Sequence, residues 1–482
     1  MRHTVGLANA GSGVYPSAPF DPPNSAYSAV EDALAQLDLD SARHGQPDWN
    51  PLGFIPRGAR VLLKPNLVRH FHPYGYTTDS IYTHASIIRA ACDYVLKALD
   101  GTGEVIIADA PLQTCDFDAV CRLSGVSALM EHYRRTGQPV SLRDLRLVRS
   151  VAESRGWMGR VLVKHANNGD PSGYTTVHLD GKSLHAERDS REVNDGRYRV
   201  TCYDPAAMQL HHGGGRHQYV IANTLLDADV VINLPKVKTH QKAGITGALK
   251  NFVGINGHKD CLPHHRQGAV GEGGDEYAEP SRAKRIDSWM QDFKETHDNL
   301  AVRKGVAVAH RLLHPLHMND SSNSYWAGSW YGNDTISRTT IDLNRIVHFG
   351  KRDGTLADLP QRRIFTIADA IIAGEGDGPL APTPKAAGLI IAGENGVAVD
   401  MILARLMGYR WDAIPTLRHA VECTGAHPLW DDGGTVRCRS SDPKWDGLEP
   451  GSDGEPLVFE AHRGWRAHIE LEAAPLEETC AS

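Results

Sequence analysis

The stretch VVINLPKVKTHQKAGITGALKNFVGI, residues 230–255, decides how the rest of the chain is read. Residues 230–234 form a short continuous apolar run of the kind that fills a strand buried on both faces. Pro235 ends its hydrogen-bonded ladder because proline has no backbone donor. Lys236, Lys238 and His240 then fall at alternate positions, so an extended continuation points all three side chains the same way. Residues 246–253, set between Gly244, Gly247 and Gly254, are compatible with a helix and contain Lys250 and Asn251. A helix beginning near Gly244 would bring free backbone N–H groups to the basic cluster, where they attract phosphate or carboxylate. Lysines directly after a buried strand face the usual ligand crevice of open α/β sheets, so the stretch reads as an anion-handling site. A solvated basic edge is the alternative, and no Walker-type phosphate loop is present.

Working outward, residues 61–63 begin a strand that ends in Lys64, Pro65 and Asn66. Residues 84–99 carry apolar side chains at helical spacing, and 104–108 form another buried strand ending at Asp109. Strand, helix, strand in that order favours a parallel sheet. Residues 364–368 give a strand ending at Asp369, 388–392 a further strand, and 397–407 a helix; 278–317 read mostly as helix. The expected fold is α/β, with a largely parallel, mixed sheet flanked by helices. The expected organisation is an N-terminal arm at 1–57, an α/β core at 58–135 and 219–420, and a peripheral tail at 421–482. Residues 136–218, polar and punctuated by NNGDPSGY and HHGGGRHQY, read as an inserted smaller β-rich lobe.

The 482 residues suffice for one large core or two ordinary ones, and a hydrophobic content of 41% supports a packed interior. A net charge of −7, from 58 acidic and 51 basic residues, does not suit a nucleic-acid partner. No apolar stretch approaches the roughly 18–20 residues needed to span a bilayer, and the first residues lack the apolar run of a secretory signal. A cytoplasmic protein is expected. The eight cysteines are scattered without a Cys-x-x-Cys pair, so neither a disulfide framework, a zinc knuckle nor an iron–sulfur cluster is expected. The 25 histidines are the compositional outlier, clustering at 211–217, 258–265 and 310–317.

Residues 258–277, HKDCLPHHRQGAVGEGGDEY, gather His258, Asp260, His264, His265, Asp275 and Glu276 around glycines. Imidazole with carboxylate suits a divalent metal such as manganese, iron, nickel or zinc, although the spacing matches no standard zinc signature. Histidines that merely hydrogen-bond a loop are the alternative. In ADAIIAGEGDGP, residues 368–379, Asp369 stands at a strand end and Gly374, Gly376 and Gly378 free the backbone for close approach. Asp377 between them is a further metal candidate, with a tight acidic turn as the competing reading. Lys64 and Asn66, with Thr83, His84 and Asp109, would flank one crevice if their strands are neighbours. In residues 330–350 Arg338 either clamps an anion or pairs with Asp342 one helical turn away. Asp400 opens a helix, where an acid suits the dipole.

Three blocks resemble the domain-of-unknown-function family 362: LLKPNLV at 62–68, DVVINLPKVKTHQKAGITGALKNFVGI at 229–255, and IADAIIAGEGDGPLAPTPKAAGLIIAGENGVAVDMILARLMGY at 367–409. LPHHRQG, GGDEY and GNDTISRTTIDLNRI are similar to a longer subgroup of that family, associated with bacterial glycan or specialised-metabolite gene neighbourhoods. Many members carry a cysteine-rich ferredoxin segment, which this chain lacks. The resemblance also implies distant kinship with the N-terminal domain of lactate racemase, where lysines and histidines hold a nickel pincer nucleotide.

These readings combine into an enzyme acting on an anionic small molecule, bearing phosphate or carboxylate, by metal-assisted acid/base or group-transfer chemistry. His240, Asp369 and Asp109 are the expected catalytic groups. Lys64, Asn66, Lys236, Lys238, Lys250, Asn251 and Arg338 are expected to bind substrate; His264, His265, Asp275, Glu276 and Asp377 are expected to hold the metal. Asp369 and His240 should share one site, because both follow strands expected to be parallel. The alternatives are an oxidoreductase or racemase with a nucleotide-type or organometallic cofactor, and a non-catalytic ligand-binding protein.

Overall fold

The computed structural model describes residues 3–11, 13–18, 20–154, 156, 159–189, 197–200, 204–297, 299–318, 326–430 and 434–471. The side chains of His314 and His317, from the third histidine cluster, and those of Cys202 and Cys480 lie outside the described residues.

At its centre is a ten-stranded mixed sheet. Its path runs Arg437–Ser440, Thr4–Asn9, Thr383–Gly393, Arg363–Glu375, Val230–Leu234, Arg60–Pro65, Glu104–Asp109, Val140–Asp144. From Arg363–Glu375 to Val140–Asp144 the neighbours are parallel, whereas Thr383–Gly393 runs antiparallel to both of its neighbours. This is the α/β architecture with a largely parallel, mixed sheet. Smaller antiparallel pairs lie outside it, Val148–Ser154 with Arg160–Ala166 and Tyr174–His178 with Gln218–Ala222.

The apolar runs behave as strands buried on both faces. Val61 and Leu63, with Val105 and Ile107, join the cluster that includes the Ala85–Leu99 helix, whereas Leu62 and Ile106 join the cluster under the Thr335–Phe349 helix. Alternate side chains leave opposite faces of a strand, so a continuous apolar run needs cover on both. Each such side chain contributes about 1.5–3 kcal/mol when fully buried. His84 opens the Ala85–Leu99 helix by accepting the Ser86 N–H at 3.3 Å.

After Pro235 the chain stays in the sheet. Lys236–His240 lies parallel to Arg363–Glu375, with Lys236 opposite Asp369 and Lys238 opposite Gly374, and a register shift between them. Gly244–Thr246 then returns antiparallel to Lys236–His240. The helix expected near Gly244 is therefore a strand, and helix begins only at Ala248.

The segment boundaries also need correction. The 1–57 arm contributes Thr4–Asn9 to the sheet and the Ser25–Ala35 helix to its cover. The 421–482 tail supplies the edge strand Arg437–Ser440 and the fully buried Trp465, whose indole N–H donates to the Gln241 carbonyl at 2.8 Å. Val140–Asp144, expected within the 136–218 lobe, pairs inside the central sheet. Residues 278–317 fold mostly as the Arg282–Thr296 and Leu300–Met318 helices. Among the described residues no helix is long and apolar enough to cross a membrane.

Candidate functional site

The carboxyl ends of the parallel strands meet around Asn251. Its Oδ1 accepts from Asn66 Nδ2 at 3.0 Å and Lys64 Nζ at 3.3 Å, and its Nδ2 donates to Asn233 Oδ1 at 2.8 Å and the Lys64 carbonyl at 3.0 Å. Both ends of one amide are thereby used to lock neighbouring strands. Lys64 Nζ sits 2.7 Å from Asp109 Oδ1, and the same carboxylate accepts the Leu67 and Ala110 N–H groups at 2.8 and 2.9 Å. Gly254 makes the approach possible, since a Cβ there would lie 2.2 Å from Asp109 Oδ1 and 2.6 Å from Lys64 Nζ. Asp109 is thus committed to Lys64 and to backbone.

Asp369 is committed as well. Its Oδ2 lies 3.0 Å from Lys236 Nζ and accepts the His84 N–H at 3.0 Å, while its Oδ1 accepts the Tyr15 hydroxyl at 2.6 Å. The Tyr15 ring stacks on His84 with centroids 4.0 Å apart. Burial pulls the Lys236 ammonium below the ordinary lysine range, and Asp369 works against that fall. The pairing joins the N-terminal arm to the sheet. Asp369 and His240 do share one strand pair, but they stand at opposite ends of a row. At about 3.3 Å per residue His240 lies about 13 Å along the strand from Lys236.

Lys238 lies between Lys236 and His240 on the same strand and is fully buried. Its Nζ donates to Asn66 Oδ1 at 2.8 Å and to the Ile81 carbonyl, both uncharged. Burial drives it well below the usual lysine value, and Lys236 adds repulsion. The glycine-rich loop closes along this strand. Thr239 Oγ1 donates to the Gly376 carbonyl and Gln241 N–H to the Gly378 carbonyl, each at 2.9 Å, and a Cβ at Gly378 would lie 2.0 Å from the Thr239 carbonyl oxygen.

Beyond Lys238 the charge becomes strongly one-sided. Lys250 is only 9% exposed and has no hydrogen-bond or ion-pair partner among the described residues. Burial lowers it to about 7, with repulsion from Lys242 and Lys64 behind it. Lys259 donates to the Val253 carbonyl at 3.1 Å and is lowered by burial to about 7. His240 and His264 are held well below the usual histidine value, first by burial and next by Lys250. Both imidazoles are therefore neutral near pH 7, and their backbone partners set the tautomers. His240 Nδ1 accepts the Lys242 and Ala243 N–H groups at 3.1 Å each, which puts its proton on Nε2. His264 Nδ1 faces the Leu262 carbonyl at 2.7 Å and must donate, which leaves Nε2 as an acceptor. One histidine offers N–H and the other a lone pair.

The short helix Ala248–Asn251 that carries Lys250 does not offer its N-terminus to a ligand. Asp400 already accepts the Ala248 and Leu249 N–H groups at 2.6 and 3.0 Å, and a Cβ at Gly247 would lie 2.1 Å from that carboxylate. Any anion is left to the side chains.

A family model described as a domain of unknown function, DUF362, matches residues 61–164 and 194–405. The chain belongs to the DUF362 family. The DUF362 match includes Lys64, Asn66, Asp109, Lys238, His240, Lys250, Lys259 and His264, whereas Tyr15 and Trp465 fall outside it. No curated protein matches the chain. Among solved structures it is similar to a protein of Thermotoga maritima determined as a structural-genomics target, at 11% identity and a TM-score of 0.32. That similarity covers 77% of this chain and 58% of the other, so the chain spans 58% of that protein's length.

The expected metal set does not assemble. Asp275 accepts the Arg266 N–H at 2.5 Å and the Thr335 N–H at 2.8 Å, closing the Thr335–Phe349 helix instead of facing a cation. Glu276 accepts from the Ser288 hydroxyl and the Gly268 N–H, and burial raises it to about 7. His265 Nδ1 lies 3.4 Å from Lys242 Nζ, a cationic neighbour unsuited to a metal ligand. Asp377 is half exposed beside His462 at 3.8 Å. Among the described residues no group of three or more His, Cys, Asp or Glu side chains could hold a metal ion. Arg338 is engaged elsewhere; its guanidinium donates to Asp334 Oδ2 at 2.5 Å and the Leu184 carbonyl at 2.6 Å, not to Asp342.

Sequence reasoning missed Lys242, Lys259 and Tyr15. Lys242 had a signal, since it continues the alternation of residues 236, 238 and 240. Lys259 needed the fold around Gly254 to bring it near Lys64 and Lys250, the cations that press on it. Tyr15 sits in an arm without periodicity and gave no signal.

Proposed function

We propose that this DUF362 chain is an enzyme acting on a small anionic molecule, bearing carboxylate or phosphate, by acid/base or group-transfer chemistry. Lys238, Lys250 and Lys259 hold the anion, and His240 and His264 contact the reacting group. Lys250 carries the reading, because a lysine 9% exposed with no acceptor among the described residues is a cation kept at a cost to folding. A bound anion supplies the missing partner through charge-assisted hydrogen bonds worth about 1.5–3 kcal/mol each. Asp109 and Asp369 act as positioning groups, fixing Lys64 and Lys236. No step is assigned to a metal, since the residues expected to bind one are engaged elsewhere. The same reading places the protein in the cytoplasm, in keeping with the unpaired, buried thiols of Cys92, Cys115, Cys121 and Cys261.

Thermal unfolding against a panel of small carboxylates and phosphates, each beside its neutral analogue, tests this. At a concentration 100 times Kd a ligand adds about 2.7 kcal/mol to stability. A rise in Tm confined to anions, and lost in Lys250→Met, is the expected result. Equal shifts for neutral analogues would remove the anion reading.

A further inference from the structure

The Arg282–Thr296 and Leu300–Met318 helices pack against each other, and both turn apolar side chains to solvent. On the second helix Ala301, Val302, Gly305, Val308, Leu312 and Leu313 are exposed, Leu312 by 70%. At about 100° per residue they fall in one arc of about 140° that holds no polar residue. Lys304 and Arg311 border that arc on one side. Arg303 and the buried His310 lie on the other, turned to the first helix, where Arg303 Nε donates to the Lys294 carbonyl at 2.6 Å and His310 Nε2 lies 3.0 Å from Asp287 Oδ1. On the first helix Ile286, Trp289 and the half-buried Phe293 form a second stripe, with exposed Arg282 at its N-terminal end. Trp289 is 59% exposed, and its ring centroid is 5.3 Å from that of Phe293.

Charge is sorted across this hairpin. Among the described residues its acids are taken up by cations: Asp287 is buried against His310, Asp292 pairs with Arg199 at 2.9 Å, and Glu295 lies 3.9 Å from Arg303. Arg285 is held by Glu272 at 2.6 Å. Arg282 and Arg311 stand exposed beside the apolar stripes. We propose that the hairpin docks the protein onto the surface of an anionic lipid bilayer, lying among the headgroups. Apolar side chains enter the acyl boundary while the bordering lysine and arginines reach lipid phosphates, and a half-wet tryptophan suits that depth. Neither helix is long and apolar enough to cross. A second copy of the chain fits this face less well, because a two-fold contact sets each patch against itself and brings like-charged borders together. The net charge of −7 repels an anionic surface from the rest of the molecule, so this face must lead.

Flotation of the full chain with vesicles tests the proposal. Phosphatidylcholine vesicles are compared with equimolar phosphatidylcholine and phosphatidylglycerol at 0.1 M salt, and sedimentation velocity without lipid reports the oligomeric state. Binding to the anionic vesicles at least about tenfold tighter than to the neutral ones is expected, weakening as salt rises to 0.5 M. Each of Arg282→Gln and Arg311→Gln should weaken it about fivefold, and Leu312→Asp about tenfold or more. Tm should hold in all three variants, since each side chain faces solvent; the arginine variants test the same surface without touching its apolar part. Addition of anionic vesicles should shift tryptophan emission to shorter wavelength, less so in Trp289→Phe. Absence of flotation, equal binding to neutral vesicles, or full binding by Leu312→Asp would overturn the proposal. A lipid-independent dimer that Leu312→Asp converts to monomer would overturn it in favour of a second copy on this face.

Discussion

Lys236 Nζ and Asp369 Oδ2 lie 3.0 Å apart, and neither side chain reaches solvent. Tyr15 completes the unit, donating to the other Asp369 oxygen at 2.6 Å and accepting from Lys236 at 2.5 Å. Two residues that sequence order placed in a substrate site therefore neutralise each other and fasten the N-terminal arm. The lysines left for a ligand are those further along, where carboxylates are scarce.

Breaking that pair should be costly to folding. Asp369→Asn or Lys236→Met leaves one buried charge uncompensated, and each is expected to lose about 3–5 kcal/mol in urea denaturation. The double variant Lys236→Met/Asp369→Leu should lose less than the two single losses added together, since it removes both charges. Strict additivity would mean that the two groups are not coupled.

Lys250 should show the opposite sign. Its folded-state value is lowered from 10.5 to about 7, so its charging opposes folding. That penalty is fully present below about pH 7 and disappears as pH rises from there through the unfolded value of 10.5. After burial, the repulsion from Lys242 and Lys64 lowers it further, and no carboxylate offsets them. Lys250→Met is expected to gain stability at pH 6, by about 1 kcal/mol or more given about 1.4 kcal/mol per pKa unit. The gain should shrink by pH 9.5. A loss of stability at pH 6 would show that Lys250 has a partner in the unliganded protein.

Gly254 should tolerate no side chain. A Cβ 2.2 Å from Asp109 Oδ1 must displace the Lys64–Asp109 pair, so Gly254→Ala is expected to cost about 1–3 kcal/mol and to weaken anion binding as well. Gly425, exposed and with open space around its Cβ position, is the control, and Gly425→Ala should stay within about 0.5 kcal/mol. Equal behaviour of the two variants would remove Gly254 from the site.

The sequence carried the sheet and which polar residues stand at its strand ends, for one physical reason. Runs such as 230–234 and 104–108 are apolar at every position, which only a strand covered on both faces satisfies, and ligand groups gather where such strands end. Lys64, Asn66, Lys238, His240 and Asn251 followed from that rule. Thr4–Asn9 did not, because alanine and glycine in six residues give too little hydrophobic contrast to mark a strand. Asp275 and Glu276 were misassigned because sequence proximity to His264 says nothing about which N–H groups their carboxylates face. Asp275 caps a helix that begins sixty residues later, at Thr335. Lys236 and Lys238 differ in fate through the register shift opposite residues 369–374, which no residue pattern announces.

The most direct measurement of the central claim is calorimetric titration of inorganic phosphate and citrate at pH 7, in buffers of different ionisation enthalpy. Lys250 and Lys259 lie near 7 in the free protein, and a bound anion must raise both, so binding should draw protons from the buffer. Wild type is predicted to bind at least one anion with net proton uptake, weakened about tenfold or more and with reduced uptake in Lys250→Met, consistent with loss of one charge-assisted contact. Binding without proton uptake, or uptake unchanged in Lys250→Met, would contradict the account.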